Sequence, residues 1–171
     1  MGQLRVAWWR EALTRIEAGD PPHHPVALAL SQAWRPQLGA RLESILDACD
    51  QGFADPHAAG DVLPRIDAFA QQAWLPVLGV AGVAAEAATL HVGGAWGLVR
   101  REAAPGSLDA AEDHMLRARE ALPEVPRAAL PALLVGAVAA DGIKRQRQGA
   151  APAGRVRRQL LLLRAALLGR F

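Results

Sequence analysis

The chain has 171 residues, of which 51% are hydrophobic, so it is long enough to bury a sizeable core as one domain. Its formal net charge is only +2, but no acidic residue follows Asp141, which makes residues 144–171 a basic segment. The single cysteine, Cys49, excludes an intramolecular disulfide and a cysteine-rich metal cluster.

Proline and glycine residues divide the chain into segments with helical periodicity. Alanine, leucine, arginine and glutamate are strong helix formers, and no segment alternates with period two for long enough to be a strand. The pattern predicts an all-α bundle of about eight helices in a single domain, 1–171, with a kink at Pro76. The predicted helices cover about residues 4–18, 25–34, 37–53, 61–83, 85–102, 107–122, 127–148 and 154–169.

No segment of the sequence is typical of a secretion signal or a membrane span. The N-terminus lacks the pattern of a signal peptide, and a span needs about 20 apolar residues. Residues 128–140 are too few, and residues 74–99 contain Glu86, His91 and several glycines. We therefore expect a cytoplasmic protein, with a peripheral position at the inner membrane as a second option.

The first predicted helix places Arg5 within an apolar arc that includes Trp8 and Trp9. A buried guanidinium group needs a carboxylate or phosphate partner, because leaving it unpaired costs free energy. The pattern favours a structural ion pair over a ligand contact, and both readings stay open.

The third predicted helix carries Glu43, Asp47 and Asp50 on one face, at positions i, i+4 and i+7. Such a stripe is more often a solvated flank than a metal site. The three acids are therefore weak metal candidates, and they would need further acids from a facing helix.

The fifth predicted helix contains His91 among small residues, and the last predicted helix is both leucine-rich and arginine-rich. A histidine in that setting is more often a core residue than a ligand. In the last helix, the apolar stripe is predicted to complete the core; the alternative is a basic amphipathic surface that docks on a membrane or a partner. The stripe comprises Val156, Leu160, Leu163 and Leu167, and the interleaved arginines are Arg155, Arg157, Arg158 and Arg164.

Three segments together resemble the squalene/phytoene synthase family. Residues 4–13 read LRVAWWREAL and are followed by HPVA at residues 24–27. Residues 91–98 read HVGGAWGL, and the segment from residue 118 to residue 134 begins AREALP and ends LPALL. The order and spacing of these segments agree with the family over nearly the whole chain, which implies a reduced isoprenoid-synthase-like bundle.

The resemblance also indicates what chemistry is missing. Enzymes of this family join two prenyl diphosphates and hold Mg²⁺ with two aspartate-rich motifs, because the leaving diphosphate must be neutralised by hard cations. The first motif should precede the tryptophan pair, where this chain has only a few residues. The second should lie where residues 98–105 read LVRREAAP, without aspartate. We therefore expect no cofactor, and Mg²⁺ only if the chain is an enzyme after all.

Two functions follow from the resemblance. The first is a non-catalytic accessory or assembly factor, similar to the branch of the family that assembles respiratory complex I. It would bind a protein partner, or itself, through an exposed groove, with a membrane surface and a lipid or isoprenoid as further partners and no nucleic acid. The alternative is a prenyltransferase that lacks its N-terminal part. The candidate ligand-binding residues are Arg5, Trp8, Trp9, His91, Trp96 and Arg100.

Overall fold

The computed structural model describes residues 2–54, 59–100 and 106–169, with the backbone alone for residues 59–63. Within these ranges the chain is helical and has no strand, which confirms the all-α prediction. The helices are α1 (Gly2–Glu17), α2 (Pro25–Gln32), α3 (Pro36–Ala54), α4 (Ala59–Gln72), α5 (Trp74–Val77), α6 (Val83–Val99), α7 (Ser107–Ala121), α8 (Leu130–Leu133), α9 (Val135–Arg147) and α10 (Arg155–Leu168).

Proline and glycine break two of the predicted helices into shorter ones. Residues 61–83, expected as one kinked helix, form α4, the single turn α5 and a glycine turn before α6. In that turn Gly79 has φ +66° and Gly82 has φ +134°, values that side chains with a Cβ rarely adopt. Residues 127–148 form a 3₁₀ turn, α8 and α9, because Pro131 near the start of α8 cannot donate a helical hydrogen bond.

Helix α6 lies at the centre of the bundle and packs against α4, α7 and α9. Its small residues permit this close approach. A Cβ built on Gly93 would lie 2.6 Å from Ala68 Cα, and one built on Gly97 would lie 2.7 Å from Pro64 Cα, both in α4. The glycines of the HVGGAWGL segment therefore serve helix packing.

The remaining helices differ in how much contact they make with this centre. Helix α1 contacts both α2 and α3, and α3 in turn packs against α4. Helix α8 places Leu133 in the core beside Ala88 and Val92 of α6. Helix α10 packs mainly on α9, and Ala165 is its buried residue.

Candidate functional site

The apolar stripe of α10 faces solvent, so the prediction that it completes the core is wrong. The exposed fractions are 69% for Val156, 61% for Leu160, 56% for Leu163 and 77% for Leu167. The opposite side of the helix, with Ala165, packs on α9 and turns the stripe outward. These four residues are called the α10 seam below.

An ion pair between α10 and α9 fixes this orientation. Arg157 Nε lies 3.1 Å from Asp141 Oδ2, and Arg157 Nη2 lies 2.5 Å from Asp141 Oδ1. Asp141 is buried, and its hydrogen bonds with Arg157 lower the pKa of the carboxyl group. Arg157, predicted to face a partner or a membrane, therefore holds α10 in place instead.

The other arginines of α10 remain available. Arg155, Arg158 and Arg164 are exposed, and their side chains make no hydrogen bond or ion pair with any residue in the described ranges. Their exposure agrees with the predicted cationic surface.

A cavity of about 220 Å³ lies between α6, α9 and the start of α10. Its apolar wall comes from Trp96, Val99 and Val138, and its cationic groups come from Arg100, Arg145 and Arg158. Only Trp96 and Arg100 were predicted as ligand-binding residues; Arg145 was known only as part of the basic segment.

The cavity continues into a shallower cleft of about 480 Å³ beside α10, because Trp96, Val138 and Arg158 line both. The cleft adds further apolar side chains and one more cation. They are Trp74, Pro131, Leu134, Val135 and Leu162, with Arg155. The cavity and the cleft together are called the α10 groove below.

The other predicted ligand-binding residues lie away from this groove. Arg5 is exposed and pairs with no carboxylate in the described ranges, so its predicted burial is wrong. Val6 is the first buried residue of α1, and Arg5 precedes the part of the helix that the core covers.

Trp8 and Trp9 form an aromatic cluster with His24 instead of a groove wall. The two indole rings meet edge to face with their centroids 4.8 Å apart, and His24 lies 5.1 Å from Trp8 and 5.6 Å from Trp9. Such aromatic packing stabilises the contact between the end of the α1–α2 loop and α1. The cluster gives a structural role to the two tryptophans and to His24 among the residues that carry the family resemblance.

His91 contacts a residue that sequence reasoning did not single out as its partner. Its Nδ1 lies 2.9 Å from Nδ1 of His114 on α7, so one ring donates and the other accepts. Burial lowers the pKa of both imidazoles, and the neighbouring Arg117 lowers each further while Asp113 opposes the shift. His91 was expected to be a core histidine; it is half-buried, and its bond is to a second histidine.

One guanidinium group of α1 bridges the three acids of the α3 stripe. Arg10 Nη2 lies 2.7 Å from Asp47 Oδ1 and 3.0 Å from Asp50 Oδ2, and Arg10 Nε lies 3.9 Å from Glu43 Oε2. Within the described ranges no three histidine, cysteine or acidic residues are grouped to hold a metal ion. The stripe serves as a surface ion-pair network.

Arg100 ends α6 in a bidentate ion pair with α4. Its Nε and Nη2 lie 2.9 Å and 2.8 Å from the two carboxylate oxygens of Asp67. Asp67 is largely buried, so the pair joins the two central helices. Residues 101–105, where the resemblance places the rest of the second aspartate motif, lie outside the described residues.

None of the described helices has the length and apolar character needed to cross a membrane.

The comparisons with known proteins find one weak likeness. The chain is 32% identical to "NADH dehydrogenase (ubiquinone) complex I, assembly factor 6" of Rattus norvegicus over an alignment of 108 residues. The alignment covers 58% of this chain and 32% of the rat protein, so the chain spans about a third of that relative. No protein-family model and no solved structure matches the chain. The squalene/phytoene synthase resemblance and the isoprenoid-synthase fold therefore stay predictions.

Proposed function

We propose that this protein is a non-catalytic accessory factor that helps assemble a respiratory NADH dehydrogenase complex by binding a partner protein through the α10 seam. The exposed seam is the observation that carries the proposal, since a contiguous apolar surface of this kind marks an interaction site. The likeness to the rat assembly factor supports the proposal that the process is the assembly of this complex.

The seam has the spacing of a helix–helix contact. Val156, Leu160, Leu163 and Leu167 recur at intervals of four, three and four residues, as in the seam of two packed helices. Burying one such leucine side chain contributes about 1.5–3 kcal/mol. We infer that the partner offers an amphipathic helix, with acidic residues placed to meet Arg155 and Arg164.

The same cationic flank supports a position at a membrane surface. Arg155, Arg158 and Arg164 lie beside the seam and are free to approach anionic headgroups. We propose a cytoplasmic protein that is peripheral at the inner membrane, where it meets its partner protein.

The acidic residues support a non-catalytic role because arginines already engage them. Asp67 bonds to Arg100, Asp141 bonds to Arg157, and Arg10 spans the three acids of α3. A Mg²⁺-dependent reaction of prenyl diphosphates needs carboxylates that are free to bind the ion. We expect calorimetry with farnesyl diphosphate to give no Mg²⁺-dependent heat, whereas a saturable Mg²⁺-dependent signal would favour the prenyltransferase.

Deletion of the gene in its own host tests the assembly role. We expect less assembled NADH dehydrogenase on native electrophoresis and recovery when the gene is returned on a plasmid. An unchanged amount of the assembled complex in the deletion strain would contradict the proposal.

A second copy of this chain is the other partner that the heptad spacing of the α10 seam permits. Sedimentation at micromolar concentration distinguishes the two, because a seam reserved for a different protein leaves the purified chain monomeric. A stable dimer that Leu163→Asp dissociates would replace the partner protein with a second copy.

A further inference from the structure

We propose that the α10 groove binds a phosphate-bearing glycerolipid, with the phosphate at Arg145 and Arg158 and the acyl chain along the apolar wall. This ligand site is separate from the α10 seam, since the seam residues line neither the cavity nor the cleft. The proposal does not depend on the assembly role.

The groove carries positive charge that no groove residue neutralises. Arg155 and Arg158 have no hydrogen bond or ion pair in the described ranges. Arg145 uses its Nε to donate a hydrogen bond to the Ala151 carbonyl oxygen at 2.7 Å, which leaves its two terminal nitrogens. None of the described residues that line the groove has a carboxylate. Guanidinium groups in this setting favour a phosphate, which they bind through paired hydrogen bonds.

The start of α10 adds a second attraction for an anion at the same place. Pro152 and Ala153 line the cavity, and α10 begins two residues later, at Arg155. Its N-cap, Gly154, offers no side-chain cap, and its first turn holds no acidic residue. The first backbone N–H groups of a 14-residue helix and its dipole therefore favour a negative group at the cavity mouth.

One residue that lines the cavity carries a buried hydrogen-bond acceptor. Gln146 donates from Nε2 to the Val99 carbonyl oxygen at 2.7 Å, while its Oε1 is buried and accepts no hydrogen bond from the described residues. A buried unsatisfied acceptor of this kind is costly unless a bound group supplies a donor. A glycerol hydroxyl beside the phosphate would meet that requirement once the Gln146 side chain turns its Oε1 toward the cavity.

The apolar wall continues from the cavity into the cleft, which Arg155 and Arg158 also line. Trp96 and Val138 line both the cavity and the cleft, and Leu134, Leu162 and Trp74 add apolar surface beside α10. A mostly apolar pocket with a few cationic groups is the arrangement that holds an amphiphile by its charged group. The ligand class is therefore an acidic glycerolipid rather than a free anion.

Calorimetry with three soluble probes tests the ligand class on the full chain. A short-chain lysophosphatidic acid, used below its aggregation concentration, has the phosphate, the hydroxyl and one acyl chain. We expect it to bind saturably with one molecule per chain. Glycerol 3-phosphate lacks the acyl chain, and the choline group of lysophosphatidylcholine offsets the charge of its phosphate. The affinity for each of these two probes should therefore be lower by about tenfold or more. Equal binding of glycerol 3-phosphate would reduce the site to a simple anion site and overturn the proposal.

A matched pair of arginine variants tests the location. Arg158→Gln removes a groove cation, while Arg127→Gln removes an exposed cation that has no bond in the described ranges and does not line the groove. We expect about a tenfold loss of affinity for lysophosphatidic acid in Arg158→Gln and less than about a twofold change in Arg127→Gln. Equal losses in both variants, or none in either, would contradict the groove site.

Discussion

Helices α6 and α10 are both rich in apolar residues, yet most of α6 is buried and most of α10 is exposed. Nine of the 17 residues of α6 are buried, against one of the 14 residues of α10. Helix α6 is built from alanine, glycine and valine, whereas α10 is built from leucine and arginine. The leucines of α10 are larger than the alanines, glycines and valines of α6, yet most of them are exposed.

The difference shows that burial depends on how many neighbours a helix has. Helix α6 has α4, α7 and α9 around it, and its glycines allow two of these contacts to be close. Helix α10 packs mainly on α9. Leucines on its far side have no surface to pack against in the described ranges, so they are exposed.

The largest expected effect is on the free energy of unfolding, when a buried leucine packed on α6 and an exposed leucine of α10 are each truncated. Leu133→Ala removes a side chain packed on α6 that is 1% exposed, and should lower the free energy of unfolding by about 2–5 kcal/mol. Leu163→Ala, in the seam, should change it by less than about 0.5 kcal/mol. Urea denaturation measures both. A large loss for Leu163→Ala would show that the seam belongs to the core.

A smaller effect concerns the anchor of α10. Asp141→Asn weakens the ion pair with Arg157, which fixes α10 on α9. Amide hydrogen exchange in α10 should become faster by about an order of magnitude, while exchange in α6 stays unchanged. Matched loss of protection in both helices would mean that α10 and the centre of the bundle open together.

The smallest effect concerns the histidine pair beside α6. Burial lowers the pKa of His91 and His114 from the ordinary value of 6.5. The unfolded chain therefore takes up protons first as the pH falls, so the stability that the neutral pair contributes is present above pH 6.5 and is lost below it. The free energy of unfolding should fall less steeply with decreasing pH in His114→Asn than in the wild type.

The exposed His23 offers the matched control for that measurement. His23→Asn should keep the steep slope of the wild type. If His114→Asn and His23→Asn change the slope equally, the pair does not carry the pH dependence.

Sequence periodicity was sufficient for the all-α class because helix periodicity and breakers are local properties. It placed the start of α7 and the extent of α10 closely. It failed at residues 61–83, where Gly79 and Gly82 adopt positive φ values that the sequence pattern did not require.

The site was predicted only in part, because the partners of charged groups are set by packing between distant segments. Trp96 and Arg100 were identified from the resemblance, and both line the groove. The pairs of Arg10 with the α3 acids and of His91 with His114 join separate helices, and no spacing within one helix reveals them. The outward orientation of the α10 seam follows from the ion pair between Asp141 and Arg157. Asp141 is the last acidic residue of the chain, and no spacing in the sequence marks it as the partner of Arg157.

The central prediction is that the α10 seam binds a partner and does not belong to the protein's own core. The double variant Leu160→Asp and Leu163→Asp tests it most directly in the deletion strain, with Leu116→Asp as the control, since Leu116 on α7 is 57% exposed and Leu163 is 56% exposed. Thermal melting of each purified variant shows whether the fold is intact. We predict that both variants melt like the wild type, that Leu116→Asp restores assembled NADH dehydrogenase and that the seam variant does not. Full restoration by the seam variant, or a collapse of its melting temperature, would contradict the claim.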